Sequence, residues 1–332
     1  MLQIFVEWFT YSAVYGAVIL LGAIGENYTE KVGNLNLGTP GIIAMGAAGA
    51  FIGSFIYENA VTAVSPVLGI LIPLLAAMLL AGIAGLLYSF LTVTLRANQN
   101  VTGLTLTIFG VGFAKFFGAY VIPTGSVANA VPKINHLFAA NINTATNGAL
   151  GIFGRLFLSY GFMLYLSILI AVLSSLFFRK TRIGLNLRAI GENPATADAV
   201  GINITKYKYL TILLGSCISG LGGAYYVLDY GNGIWSTATV DSIESLGWLS
   251  VALVIFATWK PINLLWGSFL FGLCFWAYQF VPNIIGVKLS TDLSQMLPYI
   301  VTIVVLVIVS LRRKKENQAP ASLGLSYFRE DR

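Results

Sequence analysis

The sequence predicts an all-α protein that crosses a membrane many times. Of its 332 residues, 57% are hydrophobic and 10% are charged, and the mean hydropathy is +0.81. Ordinary globular domains carry roughly 25% charged residues. Residues 66–95 contain no charged side chain, which is enough for a span of about 20 residues. The apolar runs lack the alternation of a transmembrane barrel, so we predict helices and exclude a soluble protein.

The apolar segments divide the chain into one transmembrane domain, residues 1–311, and a tail, residues 312–332. The segment 123–158 is rich in Asn, Thr and Gly and is expected to fold over one mouth of the domain. The segment 179–208 is polar and charged. We predict about nine spans, at residues 6–24, 39–57, 67–92, 101–122, 159–178, 209–228, 244–259, 261–280 and 297–311.

Lys and Arg are distributed unevenly between alternate connections. One set of connections holds 15 of the 19 basic residues, whereas the other set holds three. Because basic connections stay on the cytosolic side, the basic set is predicted to be cytosolic, with the N-terminus outside and the C-terminus inside. The basic set consists of residues 25–38, 93–100, 179–208, 259–261 and 312–332.

A weak internal repeat links the second and seventh predicted spans. Residues 40–47 and 246–253 both combine glycine, bulky apolar residues and a small residue, and a proline opens the span after each. By the charge count the two copies enter from opposite sides, as in an inverted-topology repeat. Such repeats usually bracket a substrate path.

A short capped helix is predicted within the segment 179–208. Asn193 is a good N-cap and Pro194 suits the first helical position. About two turns follow, and Gly201 is suited to the left-handed conformation that ends a helix. A short, stiff, charged helix at a membrane surface suits the docking of a soluble partner. The alternative is a helix that only orders this surface.

The sequence lacks the motifs of several common catalytic and ligand-binding sites. It has no phosphate-binding loop of the P-loop type, no nucleophile elbow and no zinc-protease motif. A single histidine, His136, and two cysteines, Cys217 and Cys274, do not make a metal site, and no cofactor or enzymatic activity is expected. The basic residues lie beside spans, so topology explains them better than nucleic-acid binding does.

Candidate residues for a substrate pathway are amides near the starts of two spans and one lysine inside a span. Asn34 and Asn36 precede the second span, and Asn98, Gln99 and Asn100 precede the fourth. Amides at these places also serve as helix caps. Lys115, inside the fourth span, either snorkels to the headgroups or faces an outer vestibule. It is the only charge predicted in the middle of a span, which argues against ion coupling.

Four stretches resemble one transporter family. Gly191-Glu192-Asn193-Pro194, followed by Ala197 and Gly201-Ile202, resembles the cytoplasmic coupling helix of permease subunits of bacterial ABC importers. Residues 25–47, 96–103 and 320–324 are similar to further parts of the branched-chain amino acid, sugar and nucleoside permease family. The tail is most similar to the nucleoside-type branch.

The resemblance implies a multi-pass subunit of the bacterial cytoplasmic membrane without an ATPase of its own. Its partners would be a cytosolic ABC ATPase, a second permease (a paralogue or an identical copy), an extracytoplasmic substrate-binding protein and membrane lipid. The expected solute is a nucleoside, with riboflavin or a sugar as alternatives. An ATP-independent facilitator or ion-coupled carrier is the alternative from another class. The residues implied in ATPase coupling are Arg188, Gly191, Glu192, Asn193, Pro194, Ala197 and Gly201.

Overall fold

The computed structural model describes residues 2–121, 130–145, 151–286, 290–312 and 318–328. The described part is built from fourteen α-helices. In chain order they are α1 (Leu2–Lys31), α2 (Thr39–Ala60), α3 (Pro66–Ser89), α4 (Gln99–Val121), α5 (Pro132–Ala139), α6 (Ile142–Ala145), α7 (Gly151–Phe157), α8 (Phe162–Lys180), α9 (Arg182–Glu192), α10 (Pro194–Ala199), α11 (Ile204–Tyr225), α12 (Thr237–Phe256), α13 (Pro261–Ile285) and α14 (Thr291–Arg312). A π-helical turn extends α3 (Phe90–Thr94) and another extends α11 (Tyr226–Tyr230).

The prediction of an all-α, polytopic membrane protein is confirmed. Within the described residues, eight helices are long and apolar enough to cross a membrane, and they coincide with the first eight predicted spans. The ninth predicted span, residues 297–311, lies on α14. The described part forms no strand and has one isolated bridge, between Ala130 and Ile234.

Helices α1, α2, α3 and α11 form the tightly packed centre of the domain. Small residues allow their backbones to approach each other: a Cβ added to Gly46 on α2 would lie 2.4 Å from Cα of Gly220 on α11. A Cβ added to Gly25 on α1 would lie 2.2 Å from the carbonyl oxygen of Gly215. In lipid such close approach replaces the hydrophobic driving force that packs helices in water.

The connections between helices sort onto two faces. One face, here called the basic face, carries the α1–α2 and α3–α4 loops, residues 179–208, the α12–α13 turn and the tail segment 318–328. These parts are in contact, since the Gly324 N–H donates to the Gly33 carbonyl (3.1 Å) and Lys31, Arg188 and Lys260 line one groove. This is the group of segments that the Lys and Arg count set apart.

The opposite face carries the α2–α3 loop, residues 130–158 as far as they are described, and the α11–α12 connection. Glu58, in the last turn of α2, accepts the N–H groups of Lys133 (3.3 Å) and Ile134 (3.2 Å) at the start of α5. The Asn135 amide donates to the Leu228 carbonyl (2.8 Å). The long segment 123–158 contains three short helices, α5 to α7, where a loop was predicted. Residues 123–129 and 146–150 of this segment lie outside the described residues.

The two copies of the weak repeat lie against each other. They belong to α2, which runs from the basic face to the opposite face, and α12, which runs back. A Cβ added to Gly247 would lie 2.4 Å from Cα of Pro40. The opposed directions are those expected of inverted copies, and the repeat itself stays a prediction.

The first helix corrects one inference from the sequence. The first span was predicted to end at residue 24, but α1 continues to Lys31. Glu26 and Glu30 therefore lie inside the helix, each 1% exposed. Two buried carboxyl groups therefore lie near the end of α1, in the stretch that the sequence assigned to a connection.

Candidate functional site

The segment between α8 and α11 forms two short helices that meet at Asn193. Helix α9 buries Gly184, Leu187, Ile190 and Gly191, at helical spacing, and leaves Arg188 and Glu192 exposed. This helix was not predicted, since its charges favoured a loop. The spacing of its apolar and small residues is the signal that identifies it.

Helix α10 has the caps that the sequence predicts. The Asn193 side chain accepts from the Thr196 N–H (3.0 Å) and Pro194 occupies the first helical position. Gly201 has φ +86°, in the left-handed region, and the Ile202 N–H donates back to the Ala197 carbonyl (3.0 Å). The predicted geometry of this helix is confirmed, whereas its role in coupling stays a prediction.

The buried side of this pair of helices rests on the transmembrane domain. Ala197 is 2% exposed. A Cβ added to Gly191 would lie 2.2 Å from the Lys31 carbonyl oxygen and 3.3 Å from Pro320, so only glycine fits between α1 and the tail. Glu192 and Asn193 are exposed on the other side. The pair of helices is thus held by the domain and still exposes the charges of Arg188 and Glu192.

The tail segment 318–328 fastens this region to the α1–α2 and α3–α4 loops. The Ser322 N–H (3.0 Å) and hydroxyl (2.6 Å) both donate to the Gly191 carbonyl. The Tyr327 hydroxyl donates to Asp198 of α10 (3.0 Å), and the Gln99 amide donates to the Leu325 carbonyl (3.4 Å). The described part of the tail lies folded against the basic face, while residues 313–317 and 329–332 are outside the described residues.

The attachment of the tail makes a prediction for Ser322→Ala. This change removes the hydroxyl bond to Gly191 and leaves the backbone bond. We expect the free energy of detaching the tail to fall by about 1 kcal/mol, which raises the population of the detached state roughly fivefold. Hydrogen exchange of the peptide 319–328 should then be about fivefold faster. Ser326→Ala is the control, because Ser326 lies on the same tail outside the Gly191 contact. Equal exchange in both variants would contradict the anchoring role.

A buried polar cluster lies beneath the tail. Glu26 accepts the Asn36 N–H (3.2 Å) and the Thr39 hydroxyl, and Glu30 accepts the indole N–H of Trp259. Helix α2 has no side-chain cap of its own at Gly38, so Glu26 supplies acceptors at its start. Sequence reasoning missed these residues. The four-residue spacing of Glu26 and Glu30, without a proline between them, was the available signal that the helix continues.

Four of the candidate pathway residues are engaged in local structure. Asn34 donates to Thr92 (3.5 Å), its Oδ1 having no hydrogen-bond partner among the described residues, and Asn36 accepts from the Gly38 N–H (3.0 Å). Gln99 accepts from the Leu35 N–H (2.7 Å), and Asn98 accepts from the Val101 N–H (3.1 Å) at the start of α4. Asn100 is exposed. The structure thus brings Asn34, Asn36 and Gln99 together around the α1–α2 loop.

Lys115 lies elsewhere, near the opposite face. Its ammonium forms an ion pair with Asp241 of α12 (2.6 Å), and both side chains are exposed enough to be screened. The pair joins α4 to α12. The Lys115 side chain is 39% exposed, so this lysine is not buried, and it lies apart from the amides of Asn34, Asn36 and Gln99.

Comparison with known proteins identifies the family. Residues 9–306 match the model of the permease component of branched-chain amino acid transport systems. The chain belongs to this permease family. No solved structure matches it. The permease is therefore a multi-pass membrane subunit of transport systems and not a catalytic enzyme, and permeases of this kind work with an ABC ATPase and substrate-binding partners.

Several curated relatives are similar over nearly their whole length. The nucleoside ABC transporter permease protein NupC of Lactococcus lactis is 30% identical, over 95% of each chain. The guanosine ABC transporter permease protein NupQ of Bacillus subtilis is 28% identical, over 96% of this chain and 95% of the relative. A putative glucose ABC transporter permease protein, TsgC13 of Haloferax volcanii, is 29% identical over 94% of each chain.

Proposed function

We propose that this permease imports a nucleoside, with energy from ATP hydrolysed by a separate subunit. The observation that carries the proposal is α10, a capped helix that closely follows Gly191 and exposes its outer side. Gly191, at the end of α9, packs against α1 and accepts from the tail. A rigid exposed helix is suited to receive a push from a soluble partner. The names of two relatives, for nucleoside and guanosine transport, support a nucleoside. The name of a third keeps a sugar as the second candidate.

The basic face is proposed to lie in the cytosol, with the N-terminus outside and the C-terminus inside. The excess of Lys and Arg on this face supports that orientation. The cytosolic ATPase would then bind the surface formed by Arg188, Glu192 and Asn193, all of which are exposed. A second permease, identical or paralogous, would complete the pathway in the lipid bilayer. A substrate-binding protein would deliver the solute to the opposite face.

The contacts of Gly191 can transmit a movement of α10 to α1 and to the tail. Movement of α10 acts on the Lys31 carbonyl, which Gly191 touches at the end of α1, and on the tail through Ser322. The tail in turn holds Gly33 in the α1–α2 loop. Closure of the ATPases would thereby shift α1 and the start of α2 together, and opening would return them. In this scheme Asn34, Asn36 and Gln99 act by positioning the start of α2 beside the pathway.

The coupling role predicts the effect of Glu192→Lys. Reversal of this exposed charge is expected to weaken ATPase binding and to lower uptake at least tenfold, while the permease still inserts into the membrane. Gly201→Trp should do the same, because it adds bulk beside α10 in a left-handed conformation. Glu7→Lys, the same charge reversal at an exposed site on the opposite face, is the control and should leave uptake unchanged.

The test uses the permease co-purified with its partners and reconstituted in proteoliposomes. Uptake of labelled guanosine should require ATP and the ATPase, and unlabelled nucleosides should compete better than hexoses. Better competition by a hexose would indicate that the transported solute is a sugar. Uptake by the permease alone, without ATPase, would replace the importer with a facilitator or an ion-coupled carrier. Normal uptake by both Glu192→Lys and Gly201→Trp would remove α10 from the mechanism.

A further inference from the structure

A groove of about 650 Å³ opens on the basic face between the α3–α4 loop, the start of α11 and the tail. Three basic residues line it, namely Arg96, Lys206 and Lys208. Asp198 and Tyr327 also line it, and their side chains are hydrogen-bonded to each other (3.0 Å). The groove is separate from the buried carboxyl cluster and from the exposed surface of Glu192.

Lys208 is the unusual member of this lining. It is 5% exposed, although lysine is almost never fully buried without a partner. Among the described residues, no carboxylate lies within 4.0 Å of its ammonium, and no hydrogen bond to it is found. Burial of a lysine side chain to this extent without a counter-charge is costly. Lys208 therefore points to an anionic ligand in the groove that it lines.

The start of α11 adds donors to the same place. Asn203 caps this 22-residue helix by accepting from the Lys206 N–H (3.0 Å). The first two N–H groups, of Ile204 and Thr205, have no acceptor among the described residues, and both residues line the groove. The start of a long helix carries a partial positive charge and unpaired N–H groups, which together favour anions.

The rest of the lining is suited to a phosphate group. The Thr205 and Ser326 side chains bring hydroxyl groups, and the Arg96 guanidinium lies over the Phe328 ring (4.7 Å), which holds it at the rim. Cations, hydroxyl groups and a helix start are the usual donors to phosphate oxygens. The single carboxylate in the lining, Asp198, is occupied by Tyr327. The opening of the groove on the basic face leaves it accessible to soluble phosphates and to lipid headgroups.

We propose that this groove binds a phosphate group, with Lys208, Arg96 and the start of α11 as its donors. Because Asp198 belongs to α10 and Arg96 to the α3–α4 loop, the occupant joins these two parts of the basic face. The proposal does not depend on which solute the permease transports.

The test measures thermal unfolding of the full-length permease in detergent through its tryptophan fluorescence. Two probes are titrated at constant ionic strength: inorganic phosphate, and the short-chain lipid dioctanoyl phosphatidylglycerol, with dioctanoylglycerol as the phosphate-free lipid control. A ligand of the folded state raises the unfolding temperature in a saturable way. Response to phosphate alone assigns a soluble ligand, response to the phospholipid alone assigns a headgroup, and response to both assigns a site for any phosphate.

Lys208→Met is the decisive variant. It keeps the length of the side chain without the charge and is expected to weaken binding about tenfold or more. Arg96→Gln should weaken binding several-fold and gives a second reading if Lys208→Met is poorly folded. Lys180→Met removes an exposed charge at the end of α8, outside the groove, and should bind as the wild type does. The proposal is overturned if neither probe stabilises the wild type, or if Lys208→Met and Arg96→Gln both bind unchanged.

Discussion

Replacement of Gly46 by leucine is expected to abolish the folded permease. Gly46 lies where α2 crosses α11, and a Cβ at this position would lie 2.4 Å from Cα and 2.8 Å from the carbonyl oxygen of Gly220. These are backbone atoms, so no side chain can rotate away. Gly220 is itself tight against α3, since its own added Cβ would lie 2.5 Å from Cβ of Ala81. Three helices would have to separate.

The size of this effect follows from how cores respond to excess volume. Added methylenes typically cost about 1–3 kcal/mol when side chains can adjust. Here they cannot, so the cost should exceed that range and membrane abundance should fall to background. Gly46→Ala should also be less stable than the wild type in detergent. Gly112→Leu is the matched control: it is also a helix glycine, on α4, but no heavy atom outside the local backbone lies within 4 Å of its added Cβ. Equal abundance of both leucine variants would contradict the close approach of α2 and α11 at Gly46.

Replacement of Glu26 by alanine is the second change with a large expected effect. The carboxylate is buried and accepts the Asn36 N–H and the Thr39 hydroxyl at the start of α2. The Thr39 hydroxyl can still donate to the Asn36 carbonyl (3.2 Å), but the buried Asn36 N–H loses its acceptor, at a cost of about 1–3 kcal/mol. Loss of the side chain leaves a cavity in addition. We expect a loss of about 3 kcal/mol or more of unfolding free energy. Glu26→Gln keeps a carbonyl acceptor and should lose less.

Glu58 provides a matched control for this effect of burial. It also accepts two backbone N–H groups, those of Lys133 and Ile134, but it lies on the opposite face within reach of water. Water can replace the carboxylate there, so Glu58→Ala should cost about 1 kcal/mol or less. Thermal unfolding of both alanine variants in the same detergent measures the difference. If Glu58→Ala costs as much as Glu26→Ala, burial is not the cause.

The sequence predicts those parts of the site whose conformation is determined by residues close by in the chain. Asn193, Pro194 and Gly201 act within one turn of their own positions, so cap, first turn and stop can be inferred without tertiary structure. The grouping of the basic connections onto one face is also predictable, because the number of spans between two connections decides on which side each lies.

The parts that sequence reasoning missed depend on residues far along the chain. Polar residues 26–38 favour a surface loop, and they are buried because the tail segment covers them and Trp259 reaches Glu30. Gly324 meets Gly33 although nearly the whole chain separates them. Helical periodicity depends on neighbouring residues, so it gives no information about a distant segment, such as the tail, that buries them. Lys208 was likewise assigned to the charged loop, and its burial follows from packing at the start of α11.

The attachment of Ser322 to Gly191 has a consequence for biosynthesis. These residues are 131 positions apart, and every remaining span lies between them. At ~5–20 residues per second, the ribosome makes Ser322 on the order of 10 s after Gly191. During that interval α9 and α10 lack the tail that fastens them to α1. The basic face is therefore completed only after the tail segment has been made, so the permease is expected to meet its partner subunits after that point.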